Sequence, residues 1–415
     1  MALINRGRAN LALSAAAFAV SSAGSVLLHI VLAVTVYHRT GSGLMTALFV
    51  SLQWLPALLV VLVRSDWDHG LHPRTRWLLL DLVAAAMTLP LLLFIERDAY
   101  LPVALLLLLR GLVDHVNRIN KTVAARVLFP KAKSAHYASF LQSSYHAGIG
   151  LAAVAGIFLA GQVELRLLVL LDAATYLVSA ALIAFTRGVE APPPAPQTPR
   201  RSLAARALEY RDALRGDRRL LACAVLPPLT ATFFQGSYSA LQPIFPIRGL
   251  GLDASAVSAS YVLASVAIIA GSSGFALLCR KWQLYEREFS AVKLLVLLLS
   301  VLAAGFYILS VQTGHPAASA VAFFLMILVF EFVWMTGYTG IVAYAPKGQL
   351  GSVFGISFAL GCFFASVLTG LIGLFLDRYG SHFSLLVSGL MAIYLAVLAF
   401  TLSGRAAVVP ATASQ

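Results

Sequence analysis

Charged side chains lie inside stretches that otherwise read as hydrocarbon-seeking helix, and the sharpest case is Leu101–Lys121, LPVALLLLLRGLVDHVNRINK. Arg110, Asp114, Asn117, Arg118 and Lys121 follow one another at intervals of four, three, one and three residues, so at helical periodicity they share roughly one face. Glu331 is a second case, inside the apolar run Ala317–Tyr344. An ionised group near the centre of a bilayer costs about 2.5–3.5 kcal/mol, so it persists where it faces other helices, a partner charge or a water-filled cavity. An acid so placed can bind and release a proton. Glu331 and Asp114 are therefore candidate proton carriers, and Arg110 is a candidate anion contact or charge partner. A static buried ion pair that fixes helix packing, such as Arg110 with Glu331, is the alternative. For Asp114, four residues from both Arg110 and Arg118, simple neutralisation of its neighbours is another. Arg118 and Lys121 are expected to snorkel to the inner boundary, and Asp172 is expected to make a packing hydrogen bond.

Other polar and aromatic residues inside apolar runs outline a candidate substrate site. They are Gln53, Trp54, Gln142, Tyr145 and His146 in the first half of the chain, and Gln235, Tyr238, Trp334 and Tyr338 in the second. Tyr338 lies seven residues beyond Glu331 with Trp334 between them, so the three share a helix face. Such a set could bind a sizeable amphipathic molecule by stacking and hydrogen bonding, or serve as interhelical glue. His29 and His146 could titrate near neutral pH or simply be hydrogen-bonded.

The elements that must position these residues follow from composition. Of 415 residues, 60% are hydrophobic and 11% charged, which excludes an ordinary soluble domain and predicts an all-α polytopic membrane protein. Twelve runs are long enough to cross about 30 Å of hydrocarbon. Six lie at Leu11–Tyr37, Gly43–Leu62, Trp77–Ile95, Leu101–Val123, Tyr137–Ala160 and Leu167–Phe185, and the first reads as an uncleaved helix rather than a signal peptide. Six more lie at Leu220–Phe245, Ala256–Leu278, Phe289–Val311, Ala317–Tyr344, Val353–Leu376 and Phe383–Leu402. The expected units are residues 1–186 and 220–415, joined by a cytoplasmic linker, 187–219, which contains APPPAP and then an amphipathic helix, Leu203–Leu214, lying on the membrane surface.

The formal charge of +13 raises nucleic acid binding, but the basic residues sit in the loops between the runs. If both termini are cytoplasmic, 23 of the 30 Lys and Arg fall on the cytoplasmic side and five on the other, which is the charge asymmetry of membrane topology. The three cysteines lack C-x-x-C spacing, so no disulfide framework, zinc site or redox chemistry is indicated. No nucleotide-binding loop, H-E-x-x-H or G-x-S-x-G motif is present. The residues point to no enzyme, no cofactor and no metal.

Several runs carry a resemblance. Thr40–Val60 (TGSGLMTALFVSLQWLPALLV), Arg166–Ala184 (RLLVLLDAATYLVSAALIA) and Gly351–Gly373 (GSVFGISFALGCFFASVLTGLIG) are similar to the second, sixth and eleventh helices of bacterial siderophore and drug exporters in the major facilitator superfamily, in particular the enterobactin-exporter group. The resemblance covers about residues 8–404. It implies two six-helix halves that rock about a central site, and proton-coupled efflux of a small organic molecule from the bacterial inner membrane by a monomer. Substrate and protons would be its partners, and the lipid bilayer its setting. An importer on the same fold and a non-transporting receptor or assembly factor remain as alternatives.

The family's motifs are partly present. In Val63–Trp77, VRSDWDHGLHPRTRW, Asp68 takes the place of the family's gating-loop aspartate and Arg74 and Arg76 that of its basic end, while Arg64 stands where a glycine belongs. Arg110 matches the arginine of the antiporter motif, with Val113 and Asp114 replacing its Gln-Gly. Gly150–Gly161 keeps the small residues of the family's fifth helix but lacks its proline. Gly148, Gly150, Gly156 and Gly161, with Gly351, Gly355, Gly370 and Gly373 in the eleventh run, would let helices approach closely enough to slide.

Overall fold

The structure is a computed structural model that describes residues 2–52, 54–63, 71–97, 99–128, 134–159, 163–186, 203–282, 289–346 and 349–403. Every regular element among them is helical. The first half comprises α1 (Ala2–Thr40), α2 (Gly43–Ser51), α3 (Pro56–Val63), α4 (Pro73–Thr88), α5 (Tyr100–Leu128), α6 (Ser134–Leu159) and α7 (Leu165–Ala184). After α8 (Leu203–Gly216) come α9 (Arg218–Thr230), α10 (Ser237–Leu241), α11 (Phe245–Arg248), α12 (Ala254–Trp282), α13 (Phe289–Gln312), α14 (Pro316–Tyr344), α15 (Leu350–Tyr379) and α16 (Phe383–Ser403).

Ten helical segments among the described residues are long and apolar enough to cross a membrane. The other two expected spans are helical as well. One is α6, whose apolar part is Ser144–Leu159; the other is the α2/α3 pair, interrupted before Pro56. Proline has no N–H to give to the carbonyl one turn back, so the pair breaks there. Because successive spans alternate in direction, the ends of α3, α7 and α14 and the starts of α4, α9 and α15 share one end of the bundle, here called the linker end. The 40–43, 241–254 and 379–383 connections share the far end.

Within the first half, α1 packs on α6 and α7, and α4 on α5 and α7; within the second, α14 packs on α9, α12 and α13. The halves meet where α15 runs along α2 and α3 and where α6 faces α12. A side chain on Gly373 of α15 would place its Cβ 2.6 Å from the Gly43 carbonyl oxygen, so only glycine permits this approach. On α6, a Cβ on Gly156 would come within 2.7 Å of the Ser258 hydroxyl of α12. Gly355 and Gly370 face open space, whereas Gly161 lies outside the described residues.

The α8 helix docks on the second half. Tyr210, Ala213 and Leu214 pack with Leu220, Cys223, Ile341 and Val353 at the linker end of the second half. The Tyr210 hydroxyl lies 3.1 Å from that of buried Ser357 in α15. This side of α8 is covered by protein, while Leu208 on the same helix is 48% exposed.

The α9 helix is distorted by Pro227 and Pro228 and continues as a π-helical turn, Ala231–Gly236, that carries Gln235. Here α14 approaches through Gly337, where a Cβ would lie 2.8 Å from the Pro227 ring.

Candidate functional site

The site grows from α5. Arg110 is buried, and its guanidinium meets three helices at once. Its Nη2 lies 2.8 Å from Asp172 Oδ2 on α7 and donates to Ser25 Oγ on α1 at 2.6 Å. The same nitrogen donates to the Tyr176 hydroxyl on α7 at 3.2 Å. Tyr176 in turn donates to Asp114 Oδ1 at 2.5 Å, and Asp114 Oδ2 stands 3.9 Å from Arg110 Nε. Arg110 therefore serves as a charge partner held between two acids.

Two expectations are corrected here. Asp172 does more than make a packing hydrogen bond: fully buried beside a guanidinium, it is the primary counter-ion of Arg110. The buried pair envisaged between Arg110 and Glu331 does not form, because α7 supplies Arg110 with a nearer acid.

A second charged pair lies further along α5. Lys121 Nζ is 4.0 Å from Asp81 Oδ1 on α4 and donates to Ser21 Oγ at 3.2 Å. Its ammonium sits over the rings of Phe18 (4.4 Å) and Trp77 (5.2 Å). Asp81 also accepts from Asn117 Nδ2 at 2.6 Å and from Ser179 Oγ at 2.5 Å. Lys121 thus does not snorkel to the boundary; it is 5% exposed, held inside by an acid and two aromatic faces. Arg118 stacks over Tyr145, 4.3 Å from the ring centroid.

Between these pairs lies a cavity of about 100 Å³ lined by α1, the α2/α3 break, α5, α6 and α7. Asp114, Arg118, Lys121, Trp54, Tyr145 and Tyr176 reach it, as do Ser21, Ser22, Ser25 and His29 of α1. The break in the second span is seated on α5 through Gly111, where a Cβ would meet the Pro56 ring at 2.9 Å. Main-chain irregularity and the charged face of α5 therefore meet one residue from Arg110. Among the described residues no group of three or more His, Cys, Asp or Glu is arranged to hold a metal ion.

The remaining candidates lie elsewhere. Glu331 is buried at a close approach of α12 and α14, where a Cβ on Gly271 would come within 2.8 Å of the Glu331 Cβ. It forms no ion pair with any described residue. Trp334 packs edge-on against Phe358, and Tyr338 against Phe354, both on α15. Tyr238 packs against Phe323, and His146 against Tyr145. Arg74 donates to the Ile183 and Ala184 carbonyls at the end of α7, and Arg76 to the Leu71 carbonyl, all within the first half. Gln53 and Asp68 lie outside the described residues, and so does the side chain of Gln142. Among the described residues, those lining the cavity include Arg118, Asp114, Trp54 and Tyr145 and come from the first half.

Sequence reading passed over Asp81, Tyr176 and Ser179. Asp81 carried the same signal as Glu331, an acid inside an apolar run, and Tyr176 the same signal as Tyr145 and Tyr338; a serine in such a run carries none.

At the far end the halves are tied by one carboxylate. Asp377, closing α15, accepts from the Gly43 N–H at 2.5 Å, the Leu44 N–H at 3.1 Å and the Ser42 hydroxyl at 2.7 Å. These are the free donors at the start of α2, so an acid from the second half caps a helix of the first.

A family model described as Major Facilitator Superfamily matches residues 13–368. The chain belongs to that superfamily, a class of multi-pass secondary transporters of small molecules. Among solved structures, a bacterial homolog of the human lysosomal transporter Spinster, inward-facing and unoccupied, is similar over 96% of this chain and 93% of its own, at 12% identity and a TM-score of 0.67. A mutant form of the nucleoside transporter NupG is similar over 95% of this chain and 99% of its own, at 13% identity and a TM-score of 0.63. At such identities the likeness is one of fold. No curated protein matches the chain.

Proposed function

We propose that the protein is a proton-coupled exporter of a small organic molecule, with Glu331 as the residue that carries the coupling proton. The observation behind this reading is a contrast between the halves. Each acid buried in the first half has a cation or hydrogen-bond donors, whereas Glu331 has no counter-charge among the described residues. A carboxylate so placed can change its charge state without breaking an ion pair. It does so against α12, the helix that faces α6 of the other half, so gain or loss of the proton would bear on how the halves pack.

In this account the units 1–186 and 220–415 rock about the cavity, both termini and the 187–219 linker are cytoplasmic, and a single copy works in a bacterial inner membrane. The far end is then the outer face. The Asp377 cap holds that face shut while substrate enters from the cytoplasm, and it must open for release. Asp114, at the cavity wall, is a second place where a proton can enter the network. Preference for a siderophore or drug-like cargo, and a place in the enterobactin-exporter-like group, rest on the runs Thr40–Val60, Arg166–Ala184 and Gly351–Gly373.

The test compares metabolites inside and outside cells that express the chain or lack it. A compound retained only in the deletion cells supports export. Failure of an external compound to enter those cells would replace export with import.

A further inference from the structure

Among the described residues, the buried cores of the two halves are separate but for one side chain. The clusters around Leu28 and Leu107, around Ala17 and Trp77 and around Tyr176 draw on the first half. The large cluster around Phe234, Tyr307 and Tyr394 draws on the second, with a single exception. Tyr37 lies in the last turn of α1, in the first half, yet it belongs to the second half's cluster and is 8% exposed. Val36, the residue before it, belongs to the core of the first half. The two cores thus meet at consecutive positions of one helix.

This crossing falls at the far end. The α1 helix stops three residues on, at Thr40, and leads into Ser42, Gly43 and Leu44, the groups that Asp377 holds. Tyr37 is within electrostatic reach of Arg248 and Asp377, both of the second half. The cluster it enters includes Leu376, the residue before Asp377. His38 and Arg39 beside it are exposed, so the turn points its one large apolar ring inward.

The two contacts differ in what separation does to them. Water can take over the donors and the carboxylate of the Asp377 cap, so parting there exchanges one set of hydrogen bonds for another. Water offers no such exchange to an aromatic ring drawn out of an apolar core.

We infer that Tyr37 is the wedge that holds the far face closed, seated in the second half's core and withdrawn from it each time that face opens. This rests on the proposed rocking of the two halves, and it adds an apolar lock to the polar cap.

The experiment measures maleimide labelling of a cysteine placed at Ala47, a buried position beside Gly373 where α2 meets α15. The full-length protein is kept in membranes without cargo or pH gradient, in a background with Cys223, Cys279 and Cys362 replaced. Tyr37→Phe keeps the ring and should label at the wild-type rate. Tyr37→Ala should label about tenfold faster, the lower end of what burying an aromatic side chain contributes. A second cysteine, at Ala303 of α13, is fully buried in the same cluster and should label as slowly as in wild type.

Unchanged labelling at Ala47 in Tyr37→Ala would overturn the inference, and so would a rise in Tyr37→Phe as large as that in Tyr37→Ala. An equal rise at Ala303 would also overturn it, since Tyr37 would then be supporting the second half's core and not closing a face. If Tyr37→Ala does not fold, Tyr37→Leu takes its place: it keeps part of the apolar bulk, a smaller rise at Ala47 is expected, and no rise overturns the inference equally. Because neither cargo nor gradient enters, failure of the coupling proposal would leave this result standing.

Discussion

Arg110 and Asp172 form a buried pair in which each residue is the other's main reason for being tolerated. Taking one partner away leaves an uncompensated charge in the interior, a loss of about 3–5 kcal/mol. Asp172→Leu should therefore sharply lower the folded yield and the unfolding temperature in detergent. The double variant Arg110→Met with Asp172→Leu should recover most of the loss; a double variant no better than the single one would show that the pair is not the cause. Glu331→Gln should behave differently: with no counter-ion among the described residues to strand, it should fold at wild-type level, checked by the same thermal scan. The acids and cations themselves were legible in the sequence, since a charge inside an apolar run announces itself. Their partners were not. The spacing of Arg110, Asp114 and Arg118 along α5 suggested neighbours on the same helix, whereas the short contacts come from α1, α4 and α7, which no periodicity within α5 can reveal.

Helix ends and breaks set where these residues meet. The Asp377 cap on α2 offers carboxylate oxygens to three donors, two of them main-chain, and an N-terminal cap is worth about 0.5–2 kcal/mol. Asp377→Ala should thus loosen the far end, which can be read from a cysteine placed at Ala47, a fully buried position near Gly373. Its labelling rate should rise severalfold in the Asp377→Ala background, and an unchanged rate would mean that the cap does not hold this face. Gly373→Leu attacks the same contact sterically, because its Cβ would fall on the Gly43 carbonyl. A cost of about 1–3 kcal/mol is expected, measured as a lower unfolding temperature. The twelve spans were readable from length and hydropathy; of the glycines, Gly156 and Gly373 fall at contacts between the halves, whereas Gly355 and Gly370 face open space. The docking of α8 was not readable, because an amphipathic helix shows one apolar face whether lipid or protein covers it.

At the scale of the molecule, two six-helix halves meet along α2 and α3 with α15 and along α6 with α12, and they differ in character. The first holds paired charges around a cavity; the second is aliphatic and aromatic around Phe234, Tyr307 and Tyr394, with Glu331 set apart. The 6+6 plan was legible because loop charge and hydropathy agreed. That the described residues lining the cavity come from the first half was not, since Trp334 and Tyr338 carry the same sequence signal as Trp54 and Tyr145 yet pack against α15. The orientation is open to a direct check in cells, using cysteines at Ser381 and Gly216 in a background with Cys223, Cys279 and Cys362 replaced. A membrane-impermeant reagent should label the first and spare the second, and the reverse pattern would invert the topology.

Coupling through Glu331 is read from the flux of the compound retained by deletion cells, followed in vesicles of known orientation with and without an imposed pH gradient, for wild type and Glu331→Gln. A gradient-driven flux is expected in wild type and should be lost in Glu331→Gln, while exchange of labelled for unlabelled compound at equal pH persists. Gradient-driven flux that survives in Glu331→Gln, at matched amounts of folded protein, would contradict it.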